Sequence, residues 1–191
     1  YEDDEDISSL INVPNEDYKI TNFCGRSEVF TKAYDLLINK QRQVVSFIGI
    51  GGYGKTALAN NLVRHIHRKN PETFTKIFWY SAKDTYLDES GRIEKATNPI
   101  NSLKEFIQKP DKNKDLSLED YLNSEGDILI VLDNFETMNE EETKIFVKKF
   151  VSKKCRFLIT SRKSLGELEE KIEIGRLQDI EARQMVNNFM S

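Results

Sequence analysis

Cysteine is scarce in this chain of 191 residues: Cys24 and Cys155 are the two present, without the close spacing a thiolate metal site needs. The two histidines, His65 and His67, are two apart in a helical stretch, so they cannot share a helix face to hold a metal. Basic charge is not in excess. The 28 Lys and Arg stand against 32 Asp and Glu, a formal net charge of −4, which argues against a dedicated nucleic-acid groove. No apolar run approaches the roughly 18 residues that read as a membrane-spanning helix, and no secretory pattern opens the chain. There is no internal repeat. Direct binding to nucleic acid or membrane is not expected.

What is present fits one domain with a sizeable core. Five short apolar runs stand out, at residues 44–50, 76–81, 127–132, 156–160 and 171–174. The first, third and fourth are nearly continuous in apolar residues, as strands buried on both faces are. Helical stretches alternate with them at 28–37, 57–66 and 140–150, the last opened by Asn139 with Glu142 three residues on. This alternation predicts an α/β three-layer sandwich around a five-stranded, mostly parallel sheet. Residues 84–126 are the least legible, with helices expected at 102–107 and 116–122 and polar loop elsewhere. Residues 1–19 begin Tyr1-Glu2-Asp3-Asp4-Glu5-Asp6 and are expected to form an acidic, flexible arm. Residues 20–178 would be the domain, and 179–191 a helix capped by Asp179 whose apolar pattern stops unfinished. The chain is therefore expected to be a piece of a longer protein, with linker in front and further domains behind.

Residues 49–56 read Gly-Ile-Gly-Gly-Tyr-Gly-Lys-Thr, a complete G-x-x-x-x-G-K-[ST] phosphate-binding loop. The run Val44-Val45-Ser46-Phe47-Ile48 before it is a strand. The run after it is helical, with Leu58, Leu62 and Ile66 four apart on one face. A strand, a glycine-rich turn and a helix form the setting this motif requires, and it assigns the domain to the P-loop NTPase architecture. The helix amino terminus offers unpaired N–H donors and the positive end of a dipole to a phosphate. Lys55 adds a point charge for the β- and γ-phosphates, and Thr56 offers a hydroxyl to Mg²⁺. The expected lining of the nucleotide from this loop is Ile50, Gly51, Gly52, Tyr53, Gly54, Lys55, Thr56 and Ala57. Tyr53 is given no chemistry of its own. With a nucleotide site, the two cysteines suggest a reducing, cytoplasmic setting.

Residues 128–133, Ile-Leu-Ile-Val-Leu-Asp, read as a buried strand ending in an acid. Ligands of open parallel sheets sit at the carboxyl ends of strands, which brings Asp133 beside the phosphate loop as a second partner for Mg²⁺. Asn134 follows and cannot act as a base. Glu136 is the nearest carboxylate able to orient an attacking water, with a solvated loop acid as the alternative. The fourth strand ends Thr160-Ser161-Arg162, where Arg162 is positioned to sense the γ-phosphate.

Taken in order, these motifs resemble the nucleotide-binding domain of the signal-transduction ATPases (the STAND class), in its NB-ARC branch, over about residues 23–189. Phe23-Cys24-Gly25-Arg26-Ser27-Glu28 is similar to the family motif that lies against adenine and ribose, so Phe23, Gly25 and Arg26 are implied nucleotide contacts. Phe78-Trp79-Tyr80-Ser81-Ala82-Lys83 resembles its second-strand signature, Leu132-Asp133-Asn134-Phe135-Glu136 its metal-binding motif, Thr160-Ser161-Arg162 its sensor, and residues 177–189 its linker. The resemblance implies an ATP/ADP switch with Mg²⁺. Such a switch hydrolyses ATP slowly and controls self-association of a larger sensor–effector protein in prokaryotic defence or regulation. Many members carry a second acid where this chain has Asn134. The alternatives are an AAA+-type motor, which would want that acid, a P-loop small-molecule kinase with its lid in residues 84–126, and a scaffold that binds nucleotide without hydrolysis.

Overall fold

A computed structural model describes residues 9–14, 26–39, 41–82, 85–87, 93–95, 99–124, 126–152 and 154–176. The apolar runs form strands β2 (Val44–Ile48), β3 (Lys76–Ser81), β6 (Ile128–Asp133), β7 (Cys155–Ser161) and β8 (Glu170–Glu173). Every residue of β6 and β7 is buried, which explains their unbroken apolar character. Helices α1 (Ser27–Ile38), α2 (Lys55–Lys69) and α5 (Glu140–Phe150) alternate with them. The α5 start is capped by the Asn139 side chain, which accepts from the N–H groups of Glu141 and Glu142.

Among the described residues the sheet has six strands, in the order β1-β3-β6-β7-β2-β8, and every pairing in it is parallel. The architecture is the expected P-loop sandwich with one more strand than the sequence suggested. The addition is β1 (Leu10–Ile11), inside the stretch read as a flexible arm, pairing Leu10 with Ile77 and Ile11 with Phe78. Two apolar residues in an acidic segment show no period, so burial of Ile11 at the sheet edge was not legible. The arm is also tied by Ser9 Oγ to His67 Nδ1 at 3.1 Å and by Asn12 Nδ2 to the Pro110 carbonyl at 2.9 Å. Within residues 84–126, part of what read as loop is an antiparallel pair, β4 (Thr85–Leu87) and β5 (Ile93–Lys95). It is followed by α3 (Pro99–Gln108) and α4 (Leu118–Asn123), the latter opened by a reciprocal cap between Ser117 and Asp120.

Side chains along the central strands alternate between two cores, as a period of two dictates. Phe78, Ile130, Leu132, Phe157 and Ile159 face α3, α4 and α5 through Phe106, Tyr121 and Phe146. Phe47, Ile77, Trp79, Leu129 and Leu158 face α1 and α2 through Leu37, Leu58, Leu62 and Ile66. Among the described residues no helix is long and apolar enough to cross a membrane. Because the strands are parallel, their carboxyl ends gather on one edge. Ile48 lies opposite Ser161, and Ser81 opposite Asp133.

Candidate functional site

The loop between β2 and α2 turns through Gly52 and Gly54, at φ +82° and +76°. Gly54 is the residue before the first turn of α2, and its left-handed backbone is one that other residues rarely adopt. That geometry opens the helix amino terminus toward solvent at the carboxyl edge of the sheet. Lys55, the first residue of α2, is buried, and its Nζ donates to the carbonyls of Gly49 at 2.7 Å and Ile50 at 3.1 Å. Burial lowers its pKa from the ordinary lysine value. Glu136 opposes that shift, Arg162 adds to it and Asp133 opposes it. Ile50 is exposed, Ala57 is half-buried on the first turn, and Tyr53 packs against the core under α1 and α2.

Asp133 closes β6, with 2% of its surface exposed. A buried carboxylate is tolerated when its lone pairs are occupied, and four donors meet this one. Oδ1 accepts from Thr56 Oγ1 at 2.7 Å and Thr160 Oγ1 at 2.6 Å. Oδ2 accepts from Asn134 Nδ2 at 2.7 Å and Ser81 Oγ at 3.3 Å. The donors come from α2, β7, the residue after β6, and the end of β3. Asn134 is left-handed at φ +56°, a conformation asparagine tolerates, and its N–H donates to Thr160 Oγ1 at 3.0 Å.

Glu136 sits in a 3-10 turn, Phe135–Thr137, that follows directly. The turn is pinned by Thr137 Oγ1, which donates to the carbonyls of Ala82 and Asn134. Glu136 Oε1 lies 3.1 Å from Arg162 Nε, while Oε2 is buried with no hydrogen-bond partner among the described residues. Arg162 folds over the phosphate loop. A methyl group added at Gly51 would stand 2.7 Å from its Nη2. Arg26 reaches the other side of the loop, donating from Nη2 to the Gly175 carbonyl at 3.0 Å with Nη1 close to Gly54.

The structure thus brings Arg26, Lys55, Thr56, Asp133, Glu136 and Arg162 together around residues 49–56. Phe23 and Gly25, with Cys24 and the helix expected after Asp179, lie outside the described residues. Ser81 was read as part of a core strand and is in fact a donor to Asp133. The available signal was its polarity at the last position of a strand. Asn134, which follows Asp133 and cannot act as a base, has its amide nitrogen committed to that carboxylate. A separate cleft of about 640 Å³ opens at the opposite, amino-terminal ends of the strands. Its charges are largely matched within the chain, Arg42 with Glu170 and Arg156 with Asp127.

The arrangement offers helix-terminal N–H groups, three cations and an anchored hydroxyl–carboxylate pair to one oxyanion-rich ligand. The family model described as NB-ARC domain matches residues 26–189. No curated protein matches the chain. Among solved structures, C. elegans PCH-2 is similar at 13% identity and a TM-score of 0.57, over 88% of this chain and 48% of that one. Domain III of the Thermotoga maritima replication initiation protein DnaA is similar at 14% identity and 0.57, over 92% and 74%. An Aeropyrum pernix ORC2 protein, solved as ADPNP–ADP complexes, is similar at 14% and 0.52, over 85% and 50%. The chain spans about half the length of PCH-2 and ORC2. At these identities the likeness is one of fold.

Proposed function

Since the chain belongs to the NB-ARC domain family, a family of nucleotide-binding ATPase domains, we propose that it is the ATP/ADP switch of a longer STAND-type signalling protein. The observation that carries this reading is the 2.7 Å contact of Thr56 with Asp133 beneath a phosphate loop overlaid by Arg162. In this reading the N–H groups of residues 51–56 and the Lys55 ammonium hold the phosphates. Phe23, Gly25 and Arg26 flank the nucleoside side, with Ile50, Tyr53 and Ala57 lining the loop. Arg162 meets the third phosphate.

The Thr56 hydroxyl and Asp133 carboxylate fit Mg²⁺, since both are hard oxygen donors and Mg²⁺ takes few protein ligands. Bound there, the metal would supply positive charge to the phosphates. Ser81, Asn134 and Thr160 hold the Asp133 carboxylate in orientation. Glu136 orients the attacking water with its carboxylate. One candidate carboxylate and an Asn134 already bound to Asp133 make a slow hydrolase, as a switch requires and a motor does not. ADP would hold the protein closed, exchange for ATP would license self-association, and hydrolysis would reset it. Sensor and effector domains, a reducing cytoplasmic setting, and no direct nucleic-acid or membrane contact complete the reading.

Single-turnover hydrolysis of pre-bound ATP tests it. Glu136→Gln should slow the step by about 10², the scale of losing a general base. Asp133→Ala should remove the Mg²⁺ dependence of binding and hydrolysis together. Wild-type hydrolysis by Glu136→Gln would leave the site a nucleotide-exchange switch without that base.

A further inference from the structure

Glu136 and Arg162 were read from the sequence as separate devices, one for the water and one for the γ-phosphate. The structure pairs them. Their strands, β6 and β7, are neighbours in the sheet, so the turns that leave them face each other at the carboxyl edge. Oε1 and Nε meet at 3.1 Å. The two partners are unequally held. Glu136 is 12% exposed in a turn fixed by Thr137 and Asn134, whereas Arg162 is 62% exposed. When the pair opens, the arginine is the member that moves.

Resting on the reading of Arg162 as the γ-phosphate sensor, we propose that Glu136 sets the ATP-over-ADP preference of the site by competing with the third phosphate for Arg162. ADP ends at its β-phosphate, which the loop and Lys55 serve, so it leaves the ion pair intact. ATP delivers a second anion to an arginine already matched by a carboxylate. To meet the third phosphate Arg162 must leave that carboxylate, a cost that falls on ATP alone. The movement is short, because Nη2 already lies over Gly51. Once Arg162 turns, Oε1 loses its partner, so the arrival of ATP itself frees the carboxylate oxygen that orients the water. A substrate-gated base of this kind makes the preference for ATP adjustable through one ion pair.

The test is a four-member set, wild type, Glu136→Gln, Arg162→Ala and the double variant, each titrated with Mg²⁺–ADP and with a Mg²⁺ complex of a non-hydrolysable ATP analogue. Melting curves confirm that each variant folds, and the readout is the ratio of the two affinities. Glu136→Gln keeps the size of the side chain and should raise the ratio in favour of the triphosphate by roughly three- to tenfold, the scale of releasing one partly exposed charged bond. Arg162→Ala should lower the ratio, and the double variant should match Arg162→Ala. A ratio that stays put or falls in Glu136→Gln overturns the proposal. So does an equal rise in the Arg162→Ala background, which would mean direct repulsion between Glu136 and phosphate. Failure of the underlying site reading looks different: wild type would then bind neither nucleotide.

Discussion

Replacing Thr160 with valine exchanges a hydroxyl for a methyl at a side chain with 0% of its surface exposed. The hydroxyl donates to Asp133 Oδ1 at 2.6 Å and accepts from the Asn134 N–H at 3.0 Å. The substitution therefore removes a charge-assisted bond, worth about 1.5–3 kcal/mol, and takes the partner from the N–H of the half-buried Asn134, costing about 1–3 kcal/mol. The added methyl returns about 0.8 kcal/mol of apolar burial. The expected loss is about 2–5 kcal/mol of folding stability, read by urea denaturation. For a chain of this size each kcal/mol moves Tm by about 2–4 °C, so the melt should fall by about 4–20 °C. Thr160→Ser is the control. It keeps the hydroxyl and loses a methyl, which should cost only about 1 kcal/mol. A valine variant within about 0.5 kcal/mol of wild type, or a serine variant less stable than the valine one, would refute the bridging role.

Burial holds the Lys55 pKa below the ordinary lysine value, against the pull of Glu136. Phosphate favours its charged form, so above that lowered pKa nucleotide binding must take up a proton. ADP affinity should be flat at lower pH and decline before ordinary lysines titrate near pH ~10.4; titrations that stay flat to about pH 10 would contradict this. Cys155 is fully buried, and that burial pushes its thiol up to about 12 despite Arg156 beside it. Iodoacetamide on the native protein should therefore leave the Cys155 peptide unmodified by mass spectrometry, and labelling it only in urea is the expected pattern. Ile11→Ala, at the buried edge strand, should cost about 2–4 kcal/mol and speed proteolytic cleavage near the amino end; an unchanged cleavage rate would mean that β1 contributes little to holding the arm.

What could be read from residues alone follows from how each element is buried. β2, β6 and β7 are covered on both faces, so their apolar runs are continuous and visible. The α2 stripe of Leu58, Leu62 and Ile66 is visible because a single face packs on the sheet. β1 is two residues long and β4 and β5 three each, too short for any period to register. Strand order was beyond reach, since it depends on which runs pair rather than on what each contains. Within the site, the phosphate loop is contiguous and was legible whole. The donors to Asp133 come from residues 56, 81, 134 and 160, a set that only the parallel register assembles. The Glu136–Arg162 pair was hidden for the same reason. Each residue was noticed in its own motif, and the sheet makes them neighbours.

Every role proposed for these side chains depends on nucleotide occupying the loop at residues 49–56. Lys55 points at that loop, its Nζ donating to the carbonyls of Gly49 and Ile50. Calorimetric titration of wild type and Lys55→Ala with Mg²⁺–ADP and Mg²⁺–ATP is therefore the most direct measurement, with circular dichroism confirming that both are folded. Binding by wild type and its loss in folded Lys55→Ala is the predicted result. Equal affinity in the two proteins would contradict the assignment of the phosphate site.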